Sequence, residues 1–152
     1  MIEQIALPKL ENLRLYSINV ERIWQSQVAV MSCGIQNLKH LTLYECINLR
    51  CLFSSSTVSS FVQLQYIKIE KCHVLEELIV VDSQEEKRNN IAMLPQLQYL
   101  KMSDLEKLTS FCTGDDQVIE FPSLKELWIF RCPKFTVRFK KPTKDLTEKV
   151  RT

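Results

Sequence analysis

Residues 38–53 read LKHLTLYECINLRCLF, and the spacing of the apolar side chains in that stretch decides the architecture. Leu38, Leu41, Leu43 and Cys46 form an LxxLxLxxC phrase, followed by Leu49 and Leu52 at a spacing of three. The LxL core has the strand period of two, which sends its leucines to one face and Thr42 to the other. The same phrase returns as Leu10, Leu13, Leu15, Ile18; as Leu64, Ile67, Ile69, Cys72; as Leu97, Leu100, Met102, Leu105; and as Leu124, Leu127, Ile129, Cys132. The opening leucines Leu10, Leu38, Leu64, Leu97 and Leu124 are separated by 28, 26, 33 and 27 residues.

A restart of about 20 to 29 residues with this phrase is the period of a leucine-rich repeat. The expected fold is therefore α/β, a horseshoe solenoid with a parallel β-sheet on its concave face and an irregular convex side. Its repeats occupy residues 1–135, and residues 136–152 form a basic tail, with a short helix expected from Leu146 to Val150. A coil cannot bury its leucines alone. Stability comes from stacking on neighbours, which requires at least about three repeats. The first phrase begins so close to Met1 that an upstream segment is expected to cover its leucine-lined end.

The inserts between phrases belong on the back of the arc. Ile23 and Trp24 are expected to anchor the first insert inward. Ser54 to Ser60 have loop composition and room for a short capped turn. Asp82 to Asn90, nearly all polar, explain the longest interval as an exposed loop. Asp115 and Asp116 after Gly114 lack the alternating ligands of a calcium loop and read as a turn. Lys140, Lys141 and Lys144 around Pro142 read as a solubilising segment.

Composition narrows the function classes. The 152 residues are 45% hydrophobic and 25% charged, ordinary for one domain, with a formal charge of +2. The basic excess lies toward the chain end rather than on the strands, which argues against nucleic acid. No apolar run approaches a membrane span, and the opening MIEQIALPKL lacks the basic-then-apolar pattern of a secretion signal. Cys46, Cys72 and Cys132 share one register and are expected to be core residues that hydrogen-bond the turning backbone, so the compartment is expected to be reducing. No CxxC pair is present to nucleate a metal site, and no metal is expected.

No catalytic residue is assigned. His73 follows Cys72, but adjacent residues in a regular coil diverge, and Cys72 points inward by register. With Gly34 and Gly114 as the only glycines, neither GxGxxG nor GxxxxGK(S/T) exists, so no nucleotide cofactor is expected. The informative positions are the outward ones. Across the five strands they form three rows: Asn12, His40, Tyr66, Tyr99, Glu126; then Arg14, Thr42, Lys68, Lys101, Trp128; then Tyr16, Tyr44, Glu70, Ser103, Phe130. Aromatics and arginine dominate protein interfaces, which makes Arg14, Tyr16, His40, Tyr44, Tyr66, Lys68, Tyr99, Lys101, Trp128 and Phe130 the candidate partner-binding residues. Lys68 and Lys101 read first as ordinary solvated lysines; as part of a binding surface they would favour an acidic partner patch.

The strings LPKLENLRL (7–15), LKHLTLYECINLRCLF (38–53), LQYIKIEKCHVLEELIVV (64–81), LPQLQYLKM (94–102) and FPSLKELWIFRCPKF (121–135) resemble a known family. They are similar to the C-terminal repeats of plant nucleotide-binding leucine-rich-repeat disease-resistance proteins of the coiled-coil class. The Leu7-Pro8, Leu94-Pro95 and Phe121-Pro122 openings and the strand-ending cysteines carry the likeness. The resemblance implies a module that recognises a pathogen effector or a guarded host protein and restrains a nucleotide-binding domain, expected upstream or in trans. It also implies a cytoplasmic location, with a peripheral plasma-membrane position as the alternative. The runner-up is the substrate-recognition arm of a ubiquitin-ligase adaptor, which requires an F-box helix not visible here. A Cys/His-dependent enzyme is the remaining alternative.

Overall fold

A computed structural model describes residues 10–24, 35–81, 92–112, 119–136 and 146–151. The expectations for Asp82 to Asn90, for Asp115 and Asp116, and for Lys140, Lys141 and Lys144 lie outside the described residues. Each LxL phrase forms a strand: β1 (Asn12–Tyr16), β2 (His40–Tyr44), β4 (Tyr66–Glu70), β7 (Tyr99–Ser103) and β10 (Glu126–Phe130). They lie side by side, all parallel, in a sheet completed by β11 (Thr147–Arg151). Residues 147–151 thus form a strand where the sequence suggests a short helix.

Burial follows the alternation. Leu41 and Leu43, Ile67 and Ile69, Leu100 and Met102 are all 1% exposed or less, and each pair stacks on the equivalent pair of the next coil. Leu49, Leu75 and Leu108, each three residues after the last position of its phrase, are likewise sealed.

The return leg of each coil adds a second layer of order. Parallel ladders join β3 (Cys51–Ser54), β5 (Glu77–Val80) and β8 (Ser110–Cys112), and pair β6 (Ala92–Met93) with β9 (Ile119–Glu120). These ladders have no period-two signature because adjacent residues, Leu52 with Phe53 and Leu78 with Ile79, are both buried. Between β3 and β4, Ser55–Val58 form one helical turn closed by a capping box between Ser54 and Thr57, in keeping with the capped turn read from the serine-rich insert. Trp24 packs on Phe61 at 5.0 Å and Phe61 on Phe53 at 4.6 Å, so the first insert is anchored inward as its sequence suggests.

How the coil leaves its strand depends on one residue. Ser17, Glu45, Lys71, Asp104 and Arg131 directly follow the five strands and all have positive φ, between 51° and 56°. This left-handed step breaks the two-residue alternation, so the next inward residue comes three positions after the last one, as Cys46 after Leu43. The step is locked by the neighbouring coil. The five N–H groups donate to the carbonyls of Tyr44, Glu70, Ser103, Phe130 and Arg151 at 2.7–3.1 Å.

Immediately inside lies the ladder Ile18, Cys46, Cys72, Leu105, Cys132. Cys46, Cys72 and Cys132 each donate Sγ–H to the carbonyl two residues back, at 3.9, 3.6 and 3.5 Å. A thiol suits this position because it fills an apolar slot and still satisfies a backbone acceptor. The expectation that these cysteines belong to the core holds.

Candidate functional site

The outward side chains of the six-stranded sheet form one continuous face. Strand pairing places His40, Tyr66 and Tyr99 in one row, Thr42, Lys68, Lys101 and Trp128 in the next, and Tyr44, Glu70, Ser103 and Phe130 in the third. Asn12, Arg14 and Tyr16 extend the three rows on one side. All ten candidate residues named from the sequence fall on this face, none in the interior. β11 adds Thr147, Lys149 and Arg151 to the three rows on the other side.

The face is organised by its own side chains. In the first row His40 meets Tyr66 at 5.8 Å and Tyr66 meets Tyr99 at 6.4 Å, both tilted, the cross-strand contact that parallel register allows. In the third row Tyr16 meets Tyr44 at 6.0 Å, and the Tyr44 hydroxyl accepts a hydrogen bond from Lys71 Nζ at 2.9 Å. That hydroxyl raises the Lys71 pKa.

The middle row is the most constrained. Trp128 Nε1 donates to Glu126 at 2.9 Å, fixing the indole. The ammonium groups of Lys101 and Lys149 lie 4.9 and 4.2 Å from that ring, and Lys101 is also 5.7 Å from the Tyr66 ring. Lys68 pairs with Glu70 at 3.2 Å. Such half-exposed pairs contribute little to stability, about 0–1 kcal/mol, and serve mainly to set side-chain orientation.

Three shallow depressions follow from this arrangement. One of about 470 Å³ is lined by Arg14, Tyr16, His40, Thr42 and Lys68 among others. Another, of about 480 Å³, runs past Lys68, Ser103, Trp128, Phe130 and Arg131. A smaller one of about 290 Å³ lies between His40 and Glu126, over Tyr99 and Lys101. None is an enclosed cavity.

Three contributors escape the sequence reading. Lys149 and Arg151 escape because Glu148, not a leucine, stands opposite Leu127 at the inward position of β11. The 21-residue interval between Glu126 and its partner Thr147 is the signal that finds this strand, since it falls within the repeat period. Arg131 sits on the rim through its left-handed backbone, over Phe130 at 5.0 Å and paired with Asp104 at 2.8 Å.

The thiols and histidines do not converge. Cys72 is sealed, whereas His73 is solvent-facing and lies 3.5 Å from Glu106. Cys72 is held above the usual thiol range, first by its hydrogen bond with Cys46 and then by burial. Burial raises Cys132 as well, and burial together with the Glu77 charge pushes Cys112 up to about 11. The hydrogen bond with Cys72 lowers Cys46 to about 7, but Cys46 is sealed in the core, whereas an activated thiolate requires an electropositive and open environment. Among the described residues no group of three or more His, Cys, Asp or Glu side chains is placed to hold a metal ion.

Comparison with known proteins bears on what this face belongs to. Residues 9–148 match the family model for the leucine-rich repeats of RPS2-like plant disease resistance proteins. The chain belongs to that family. A protein of Arabidopsis thaliana described as a probable disease resistance protein is 33% identical over 126 residues, which cover 82% of this chain and 13% of the relative. The chain therefore spans about an eighth of the length of that relative. No solved structure matches the chain. The repeat module is one of plant defence, and no helix among the described residues is long and apolar enough to cross a membrane.

Proposed function

We propose that the face of the six-stranded sheet is a non-catalytic recognition surface, acting in the cytoplasm, that binds a pathogen effector or a host protein altered by one. Binding there relieves the restraint that the repeats impose on a nucleotide-binding module of the same receptor. A partner has this effect only if it binds the released arrangement more tightly than the restrained one. The observation that carries the reading is the Tyr66, Lys101, Trp128, Lys149 array. Large side chains are held in place on a rigid parallel sheet, so little conformational entropy remains to be lost when a partner arrives. Its setting in a family of disease resistance proteins supplies the biological context.

The test uses the chain in its natural receptor, with a photo-crosslinking amino acid at Tyr99 on the face or at Glu76 on the return leg. The expected result is partner capture at Tyr99 and not at Glu76. Trp128→Ala with Phe130→Ala should weaken binding of the captured partner by about 2 kcal/mol or more, while the unfolding midpoint stays in place. Unchanged affinity would remove this face from the interaction.

A further inference from the structure

Among the described residues, the sheet face carries more basic than acidic side chains. Arg14, Lys68, Lys101, Lys149 and Arg151 occupy outward positions, against the carboxylates Glu70 and Glu126. Both carboxylates are already engaged, Glu70 with Lys68 at 3.2 Å and Glu126 with the Trp128 indole at 2.9 Å. Among the described residues no carboxylate pairs with Lys101 or Lys149. Their ammonium groups converge instead on one indole, at 4.9 and 4.2 Å. The ring quadrupole attracts each of them by about 0.5–1 kcal/mol at an exposed site, but two like charges gathered at one ring also repel. Acidic groups of a partner remove that repulsion and satisfy both cations, which flank Trp128 from the strands on its two sides. Beside them the depression of about 480 Å³ offers an apolar wall of Trp128 and Phe130, with Phe130 40% exposed.

We propose that this end of the sheet receives an extended acidic segment of a protein partner, with Asp or Glu carboxylates at Lys101 and at Lys149 and a neighbouring apolar side chain on Trp128 and Phe130. The inference rests on the recognition reading above and adds the chemistry of what is recognised. Six strands about 4.8 Å apart give a face about 24 Å across, which an extended segment of about seven residues spans at about 3.3 Å per residue. Charge complementarity at such a site acts mainly on selectivity and association rate.

Selection of a random-peptide display library against the folded chain tests this. Enriched peptides should be rich in Asp and Glu, and binding of a synthetic representative should fall about tenfold in a Lys101→Ala, Lys149→Ala variant and weaken with added salt. The charge-reversed Lys101→Glu, Lys149→Glu variant should enrich Lys- and Arg-rich peptides instead. Peptides that depend on Trp128 and Phe130 but carry no acidic excess would overturn the inference and leave the recognition reading standing. Peptides indifferent to Trp128→Ala with Phe130→Ala would defeat both. A selection no different from that of the charge-reversed variant would also overturn it. So would stronger binding to phosphatidylserine vesicles than to any acidic peptide, lost in the Lys101→Ala, Lys149→Ala variant, because the charge would then serve a lipid surface.

Discussion

The middle coils of the stack and the coils at its two sides share one backbone plan but not one degree of burial. Leu41, Leu43, Ile67, Ile69 and Leu100 are fully buried, whereas Leu13 and Leu15 of β1 are partly exposed. Every residue of β11 is exposed, and Val150, at an inward register position, is 49% exposed. The strands are equal in length, but β1 and β11 each pair on one side only. The difference shows that a coil's leucines are buried by the coils on either side, and that stability in this fold belongs to the interfaces between repeats.

The largest consequence concerns the thiols. Cys72, in the middle of the stack, reacts with an alkylating reagent only after the coils open. Its modification should be slower than in the unfolded chain by about a thousandfold or more, corresponding to an opening free energy of about 4 kcal/mol or above. Cys132, 5% exposed and nearer one side, should react sooner. Cys112, half-buried on the return leg, tests the electrostatics. Its rate at neutral pH is held down because burial and Glu77 favour the thiol, and it should keep rising with pH up to about 11. An ordinary thiol levels off above roughly 8.5. Rapid native-state labelling of Cys72 would break the comparison.

Truncation of inward side chains measures the same gradient by a smaller amount. Leu100→Ala, in the middle of the sheet, should cost about 2–5 kcal/mol in denaturant-induced unfolding. Leu13→Ala in β1 should cost about half as much, because part of its surface is already in water. Val150→Ala in β11 should stay within about 0.5 kcal/mol. Equal losses at Leu100 and Leu13 would mean that each coil stabilises itself, contrary to the burial pattern.

The middle coils were also the ones most legible in the sequence. Their LxLx alternation predicts which residues line the interior and which form the face, and the rows His40–Tyr66–Tyr99 and Thr42–Lys68–Lys101–Trp128 follow from it directly. At the margin the signal failed for a physical reason. β11 carries Glu148 at an inward register position and all five of its residues are exposed, so the apolar alternation disappears there. The convergence of Lys101 and Lys149 on Trp128 disappears with it, since it requires a strand that the pattern does not announce. The return-leg ladders went unseen because paired buried neighbours such as Leu52 and Phe53 carry no period of two.

The left-handed step after each strand was also hidden, because none of its five residues is glycine. Holding Glu45 at a φ of 52° carries a steric cost from its Cβ of about 1–2 kcal/mol. The hydrogen bond from its N–H to the Glu70 carbonyl at 3.0 Å keeps it there. Glu45→Gly should remove that cost while adding freedom to the unfolded chain, for a net stabilisation of about 0.5–1 kcal/mol. Glu45→Ala, which retains the Cβ, should leave stability nearly unchanged. Ser17 makes the same step in the side coil at a φ of 53°. Ser17→Gly should gain less than Glu45→Gly, because a side coil opens locally without unfolding the stack, so relief of strain there reaches global stability only in part. Equal gains at the two positions would show that the first coil unfolds together with the middle ones, despite its exposed leucines.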